Sequence, residues 1–184
     1  MSPRRPILSV IGSAGALEEP VRQMCLELGA AAIEAGFRVL TGGRDGVMEA
    51  VSQGARQSPS WTEGDVLGII PAYDRAQANP FVDVVIPTGM NHARNVMVVA
   101  SADVVVAVAG GTGTLSEVAM AWQLGKPVLA LVPSGGWAAR LADERLDGRR
   151  EDTVESVQTP QEAIVRALAL IAQQRPEPEP IGGR

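Results

Sequence analysis

The chain has 184 residues, 46% of them hydrophobic, and a formal net charge of −5. That length suits one domain with one core, and no apolar run approaches the ~20 residues that span a bilayer. The acidic balance, 3% aromatics and lack of a basic stripe argue against nucleic-acid binding. The single cysteine, Cys25, excludes an intramolecular disulfide or a thiolate metal cluster. It falls on the apolar side of a predicted helix with Val21, Met24 and Leu28, so a buried structural thiol is expected. One histidine, His92, excludes a site built on several imidazoles, and no metal site is expected. One lysine, Lys126, leaves one candidate for Schiff-base chemistry.

The opening Met1-Ser2-Pro3-Arg4-Arg5-Pro6 has no cleavable apolar core and reads as a disordered lead over 1–6, which implies a cytoplasmic protein. Residues 7–11 form a first strand, ending in Gly12-Ser13-Ala14-Gly15. A helix covers 18–35, stopped by Gly36. A second strand, 37–40, ends in Thr41-Gly42-Gly43-Arg44-Asp45-Gly46, and a helix follows over 47–56. After a loop at 58–64 comes a third strand, 66–70, stopped by Pro71. A loop at 73–80 leads to a fourth strand, 82–86, again stopped by proline. A helix over 91–100 precedes a fifth strand, 103–108. Then comes Ala109-Gly110-Gly111-Thr112-Gly113-Thr114-Leu115-Ser116-Glu117, which opens a helix running to about residue 125. A sixth strand covers 127–132. Residues 134–150 follow no clear period, and 154–157 suit a short edge strand. Thr159-Pro160-Gln161-Glu162 combines an N-cap threonine, proline at the first helical position and a capping-box glutamate; that helix runs to 174. Residues 175–184 form a solvated, disordered tail.

Strands alternating with helices predict an α/β domain over 7–174, a parallel sheet with helices on both faces. The continuously apolar strands 66–70 and 103–108 suit its buried interior. In such sheets ligands bind at the carboxyl ends of the strands. The turns after strands one, two, four and five all lie at that edge, so four loops converge there.

The turn at Gly110–Thr114 is the most informative. Three glycines in four positions bare the backbone, and its N–H groups sit at a helix N-terminus, where the dipole favours an anion. Gly12 and Ser13 offer an N–H and a hydroxyl. Gly42 and Gly43 have the same backbone character, and Arg44 adds a guanidinium able to clamp phosphate, or else a solvated charge. Asp45 suits a helix cap. Arg94 lies in the first turn of its helix, where a cation is electrostatically misplaced; Glu117 or a ligand phosphate resolves this. His92 points away from Arg94 and is read as a helix-start or interface residue before a ligand contact. The apolar helices around Val96–Ala100 and Val118–Trp122 suggest a subunit contact. Loops 58–64 and 73–80, with Trp61 and Tyr73, and the adjacent Phe81 are expected to shape the non-phosphate end of the site. GxxxxGK[ST] is absent, and Gly111-x-Gly113 is followed by Ser116, so GxGxxG is not matched either.

AGGTGTLSE after a hydrophobic strand, with MNHARN upstream, resembles the LOG-like proteins of the SLOG superfamily, whose hallmark pair is PGGxGTxxE and MxxRK. VIGSAGA, LTGGRDGVMEA and VLGIIP fall in family order, so the resemblance covers about residues 7–170. It implies a Rossmann-like, doubly wound fold and a homodimer or larger oligomer. Cytokinin-activating members cleave the N-glycosidic bond of nucleoside 5'-monophosphates, and the resemblance places their catalytic pair at Arg94 and Glu117. It places the phosphate turn at Gly110, Gly111, Thr112, Gly113 and Thr114. Such a carboxylate can stabilise an oxocarbenium-like centre or orient water, and the arginine can stabilise phosphate.

Asn95 replaces the lysine of MxxRK and Ala109 the proline of PGG. Both changes occur together in a branch that resembles molybdenum cofactor carrier proteins. The expected function is therefore binding of a phosphorylated, nucleotide-like small molecule, foremost the molybdenum cofactor for carriage or storage, with no cofactor required for activity. The alternative is a phosphoribohydrolase acting on a nucleoside monophosphate, and a third reading is a nucleotide-sensing module without turnover. The lysine decarboxylase label that such proteins have carried is rejected. Pyridoxal phosphate needs a lysine Schiff base, and Lys126 sits at the start of the sixth strand, the opposite edge from the glycine turns.

Overall fold

A computed structural model describes residues 4–148 and 150–174. The elements are β1 (Ile7–Gly12), α1 (Glu19–Glu34), β2 (Arg38–Thr41), α2 (Val47–Gln57), β3 (Val66–Ile70), β4 (Val84–Pro87), α3 (Asn95–Ala100), β5 (Val104–Val108), α4 (Thr112–Gln123), β6 (Val128–Leu131), α5 (Gly136–Leu141), β7 (Glu155–Val157) and α6 (Pro160–Gln174). The strands form one parallel sheet in the order β4-β3-β2-β1-β5-β6-β7. The order reverses between β1 and β5, which makes the sheet doubly wound, as the family resemblance implies.

Two apolar layers sandwich the sheet. Cys25 and Leu28 of α1, Val47 and Val51 of α2, and Ala163 of α6 cover one face. Val98 and Val99 of α3, Val118 and Trp122 of α4, and Ala138 of α5 cover the other. All five residues of β5 are buried, which explains its unbroken Val-Val-Val-Ala-Val run. Burial pushes the Cys25 thiol up to about 12, against the lowering effect of Arg22, so it stays a protonated packing group.

The structure departs from the expected elements in three places. Arg4 and Arg5, assigned to a free lead, are held against the domain. Arg4 pairs with Asp103 at 3.1 Å, and Arg5 pairs with Asp65 while donating to the carbonyls of Gly36 and Phe37. Residues 1–3 of that lead and the whole tail, 175–184, lie outside the described residues. The helix expected over 91–100 is a 3-10 turn, Asn91–Arg94, followed by a short α3. Its entry is bent: Gly89 and Asn91 adopt φ of 64° and 49°, and their amides donate to Ala72 and Pro71 carbonyls rather than to a helical turn. Finally, 134–150 holds α5, whose first amides bond to the loop after β5. No helix among the described residues is long and apolar enough to cross a membrane.

Candidate functional site

The reversal between β1 and β5 opens a crevice at their carboxyl ends, where doubly wound sheets bind ligands. Gly12 and Ser13 leave β1 on one side, and Gly111–Thr114 start α4 on the other. Together with Gly42 they line a cavity of about 360 Å³, and Arg94, Asn95 and Glu117 complete it. A helix cannot satisfy its first amides from within. The N–H groups of Gly111, Thr112, Gly113 and Thr114 find no acceptor among the described residues; the first helical bond is Leu115 N–H to the Gly111 carbonyl, 3.1 Å.

Arg94 supplies the second half of the site. It is 7% exposed, and its Nε is buried with no hydrogen-bond partner. Its one ion pair among the described residues is loose: Nη1 stands 3.9 Å from Glu117 Oε1, beyond hydrogen-bond range. A buried polar group without a partner costs about 1–3 kcal/mol, so this Nε is poised for an acceptor that the described residues do not provide. Gly42 makes room for it. A Cβ there would lie 2.4 Å from both terminal nitrogens of Arg94.

Burial sets the protonation of the pair. It lowers Arg94, offset by the Glu117 charge and reinforced by Arg44 nearby. It raises the Glu117 carboxyl to about 7, against the opposing pull of Arg94. Near neutrality the crevice therefore holds the Arg94 guanidinium, a half-ionised carboxylate and a fan of free amides, with the Arg44 guanidinium beside it, a surplus of positive potential suited to an anion.

A second compartment of about 300 Å³ adjoins the first and shares Ala14, Met48, His92, Arg94 and Asn95 with it. Arg44, Asp45 and Asn91 line it, with Pro71 at its edge. Arg44 thus stands beside the anion crevice rather than in it, and His92 lines both compartments. Gly43 and Gly110 line neither. Gly43, at φ 68°, packs its Cα side against Ile70, where a Cβ would come within 2.6 Å, and Gly110 lies under the Thr114 side chain at φ 98°. Gly12 is a packing glycine as well as a lining one, because a Cβ would meet the Val108 carbonyl at 2.6 Å.

Loops 58–64 and 73–80 contribute to neither compartment, contrary to expectation. Trp61 is tied elsewhere: its Nε1 donates to Asp83 at 3.0 Å, and Arg56 stacks on its ring while pairing with Asp83. Tyr73 is 84% exposed, with its ring over Gly89. Sequence reading missed Asn91, Asn95 and Met48 as lining residues. Asn95 was visible only as a departure from a motif. Lys126 is committed structurally, its Nζ donating to the Ala102 carbonyl at 2.7 Å. Among the described residues no group of His, Cys, Asp and Glu is arranged to hold a metal ion.

Fold and site together define a Rossmann-type protein with a crevice at its topological switch point, lined by the α4 N-terminus and a buried arginine. The SLOG cluster4 family model matches residues 5–164, and the chain belongs to that family. An uncharacterized protein of Archaeoglobus fulgidus is 40% identical over 126 residues, 68% of this chain and 80% of that one. Among solved structures, the molybdenum cofactor binding protein of the phototrophic bacterium Rippkaea orientalis is 34% identical, with a TM-score of 0.79 over 92% of this chain and 99% of that one. The molybdenum cofactor carrier protein of Chlamydomonas reinhardtii is 32% identical, with a TM-score of 0.76 over 91% and 99%.

Proposed function

We propose that this protein binds the molybdenum cofactor through its phosphate and acts as a carrier or store for it. The observation that carries this reading is Arg94, buried with its Nε unpartnered among the described residues, in a crevice edged by the free amides of Gly111–Thr114. The relatives that share this fold at more than 30% identity and bind that cofactor support it. In this reading the phosphate sits on the α4 N-terminus with Arg94. The pterin extends into the compartment of Arg44, Asp45 and Asn91. Each compartment reaches the lower end of the ~300–1,000 Å³ typical of small-molecule sites.

A second reading, hydrolysis of a nucleoside monophosphate, is favoured by one observation. Glu117 pairs with Arg94 and is raised to about 7, the range in which a carboxyl group exchanges protons efficiently near neutrality. Here Arg94 would hold phosphate and Glu117 would orient water or steady the developing sugar cation. One assay separates the two. Purified protein incubated with AMP and isopentenyladenosine monophosphate is expected to release no free base, while it retains molybdenum cofactor and slows its oxidation. Base release that disappears in Glu117→Gln, without cofactor retention, would establish the hydrolase instead.

A homo-oligomer belongs to the same proposal. The pairing of Leu67 with Val84 and of Ile69 with Ile86 directs the β4 side chains to the α3 side of the sheet. There Val84 is 42%, Ile86 37%, Met90 46% and Val96 39% exposed, an apolar edge suited to a second copy. Light scattering after gel filtration is expected to give at least a dimer, and Ile86→Asp to shift it to monomer. A wild-type monomer at micromolar concentration overturns this.

A further inference from the structure

We infer that Ser134 and the turn leading into α5 are positioning elements that set the phosphate loop in its anion-accepting shape; this rests on the reading of that loop as a phosphate site. Ala109 adopts φ 50°, a left-handed conformation that residues with a Cβ avoid. Something must hold it there. Its N–H donates to Ser134 Oγ at 2.6 Å, and that hydroxyl donates in turn to the Leu131 carbonyl at 2.5 Å. Its carbonyl accepts from Ala138 N–H at 2.9 Å, and the next carbonyl, Gly110, accepts from Trp137 N–H at 3.1 Å. Both backbone groups of Ala109 are engaged, all from the segment after β6.

The contact is too close for any side chain at 136. A Cβ on Gly136 would lie 2.5 Å from the Ala109 carbonyl carbon, and Gly136 itself sits at φ 60°. The consequence for the crevice is electrostatic. Two carbonyl oxygens just ahead of α4 are turned onto the α5 amides, which leaves the four following amides free for a ligand. Ser134 is 7% exposed and lines neither compartment, so it acts through the loop and not by contact.

The same geometry excludes proline at position 109 on two counts. Proline holds φ near −65° and has no N–H, whereas this site needs φ 50° and an N–H for Ser134. The clamp needs an N–H and a left-handed φ at 109, which alanine supplies and glycine is expected to supply without strain.

The test uses the full-length protein, inorganic phosphate as probe, and the amide resonances of Gly111 and Gly113 as readout. Ser134→Ala is expected to shift both resonances in the free protein and to weaken phosphate binding about five- to tenfold, the effect of losing one buried hydrogen bond. Ser134→Thr restores both. Ala109→Gly keeps wild-type affinity, and Ala109→Pro loses binding. Ser58→Ala, which removes another buried hydroxyl accepting a backbone N–H, leaves affinity and resonances unchanged. Wild-type resonances and affinity in Ser134→Ala, or wild-type binding in Ala109→Pro, overturn the clamp. If phosphate shifts neither resonance in wild type, the phosphate-site reading fails. The clamp is then decided by the free-protein resonances of Ser134→Ala alone.

Discussion

Arg94→Ala is expected to weaken binding of the molybdenum cofactor, or of AMP as a surrogate, by at least about 100-fold with the fold intact. A hydrogen bond to a charged group contributes about 1.5–3 kcal/mol, and a guanidinium makes two such bonds to one phosphate. The loss lies in binding because, among the described residues, the buried Nε of Arg94 has no hydrogen-bond partner and its one ion pair, with Glu117, is 3.9 Å long. Its removal leaves Glu117 without a cation, but that carboxyl is already raised to about 7 and takes up a proton. Gly42→Ala should give the same defect while keeping the charge, since its Cβ occupies the place of the Arg94 nitrogens. Isothermal titration with thermal melts at pH 6 checks both variants. Wild-type affinity in a folded Arg94→Ala protein would remove the phosphate from this crevice.

Glu117→Gln is expected to abolish a pH dependence that the wild-type protein is expected to have in both stability and binding. The Glu117 carboxyl titrates at about 7 in the folded chain against an ordinary value of 4.5. Between those two pH values the unfolded chain has released a proton that the folded chain still holds. Stability conferred by the protonated, buried carboxyl is therefore complete below pH 4.5 and declines as pH rises to about 7. The total is on the order of 3 kcal/mol. Glutamine mimics the protonated form at every pH, so the variant loses this slope in urea melts and is the more stable protein at pH 8. A bound phosphate dianion raises Glu117 further, so binding takes up a proton. Above pH 7, where phosphate is already dianionic, affinity should fall by up to about tenfold per pH unit in wild type and stay level in Glu117→Gln. Equal slopes in the two proteins would show that Glu117 does not face the phosphate.

Some of this was legible in the chain itself. The Val104–Val108 run announces a strand buried on both faces, and glycines between it and an amphipathic helix announce a backbone open to an anion. Arg94 at the start of a helix stood out because its charge opposes the dipole. The structure brings it to 3.9 Å from Glu117, one of the two partners that mismatch suggests, the other being a ligand phosphate. These inferences work because each depends on local periodicity, local conformational preference or a single electrostatic conflict.

Other features depend on where distant segments land. The aromatic residues of loops 58–64 and 73–80 looked like a ligand wall, yet Trp61 is spent on Asp83 and Arg56. The second compartment is built instead from Arg44, Asp45 and Asn91, because the amides of Gly89 and Asn91 bond back to Ala72 and Pro71. Gly12, Gly43 and Gly136 look alike in the sequence, but close contacts with Val108, Ile70 and Ala109 give each a different constraint.

Periodicity and glycine spacing act over a few residues, and they are enough to read the α/β class, the parallel sheet and the bare, glycine-rich turn after the fifth strand from the chain alone. The burial of Arg94, the lack of a partner for its Nε among the described residues and the upward shift of Glu117 to about 7 all come from the tertiary fold. It alone decided that residues 134–138 hold Ala109 in a left-handed conformation. Desolvation and contact between segments remote in the chain set those properties, and neither is written in local spacing.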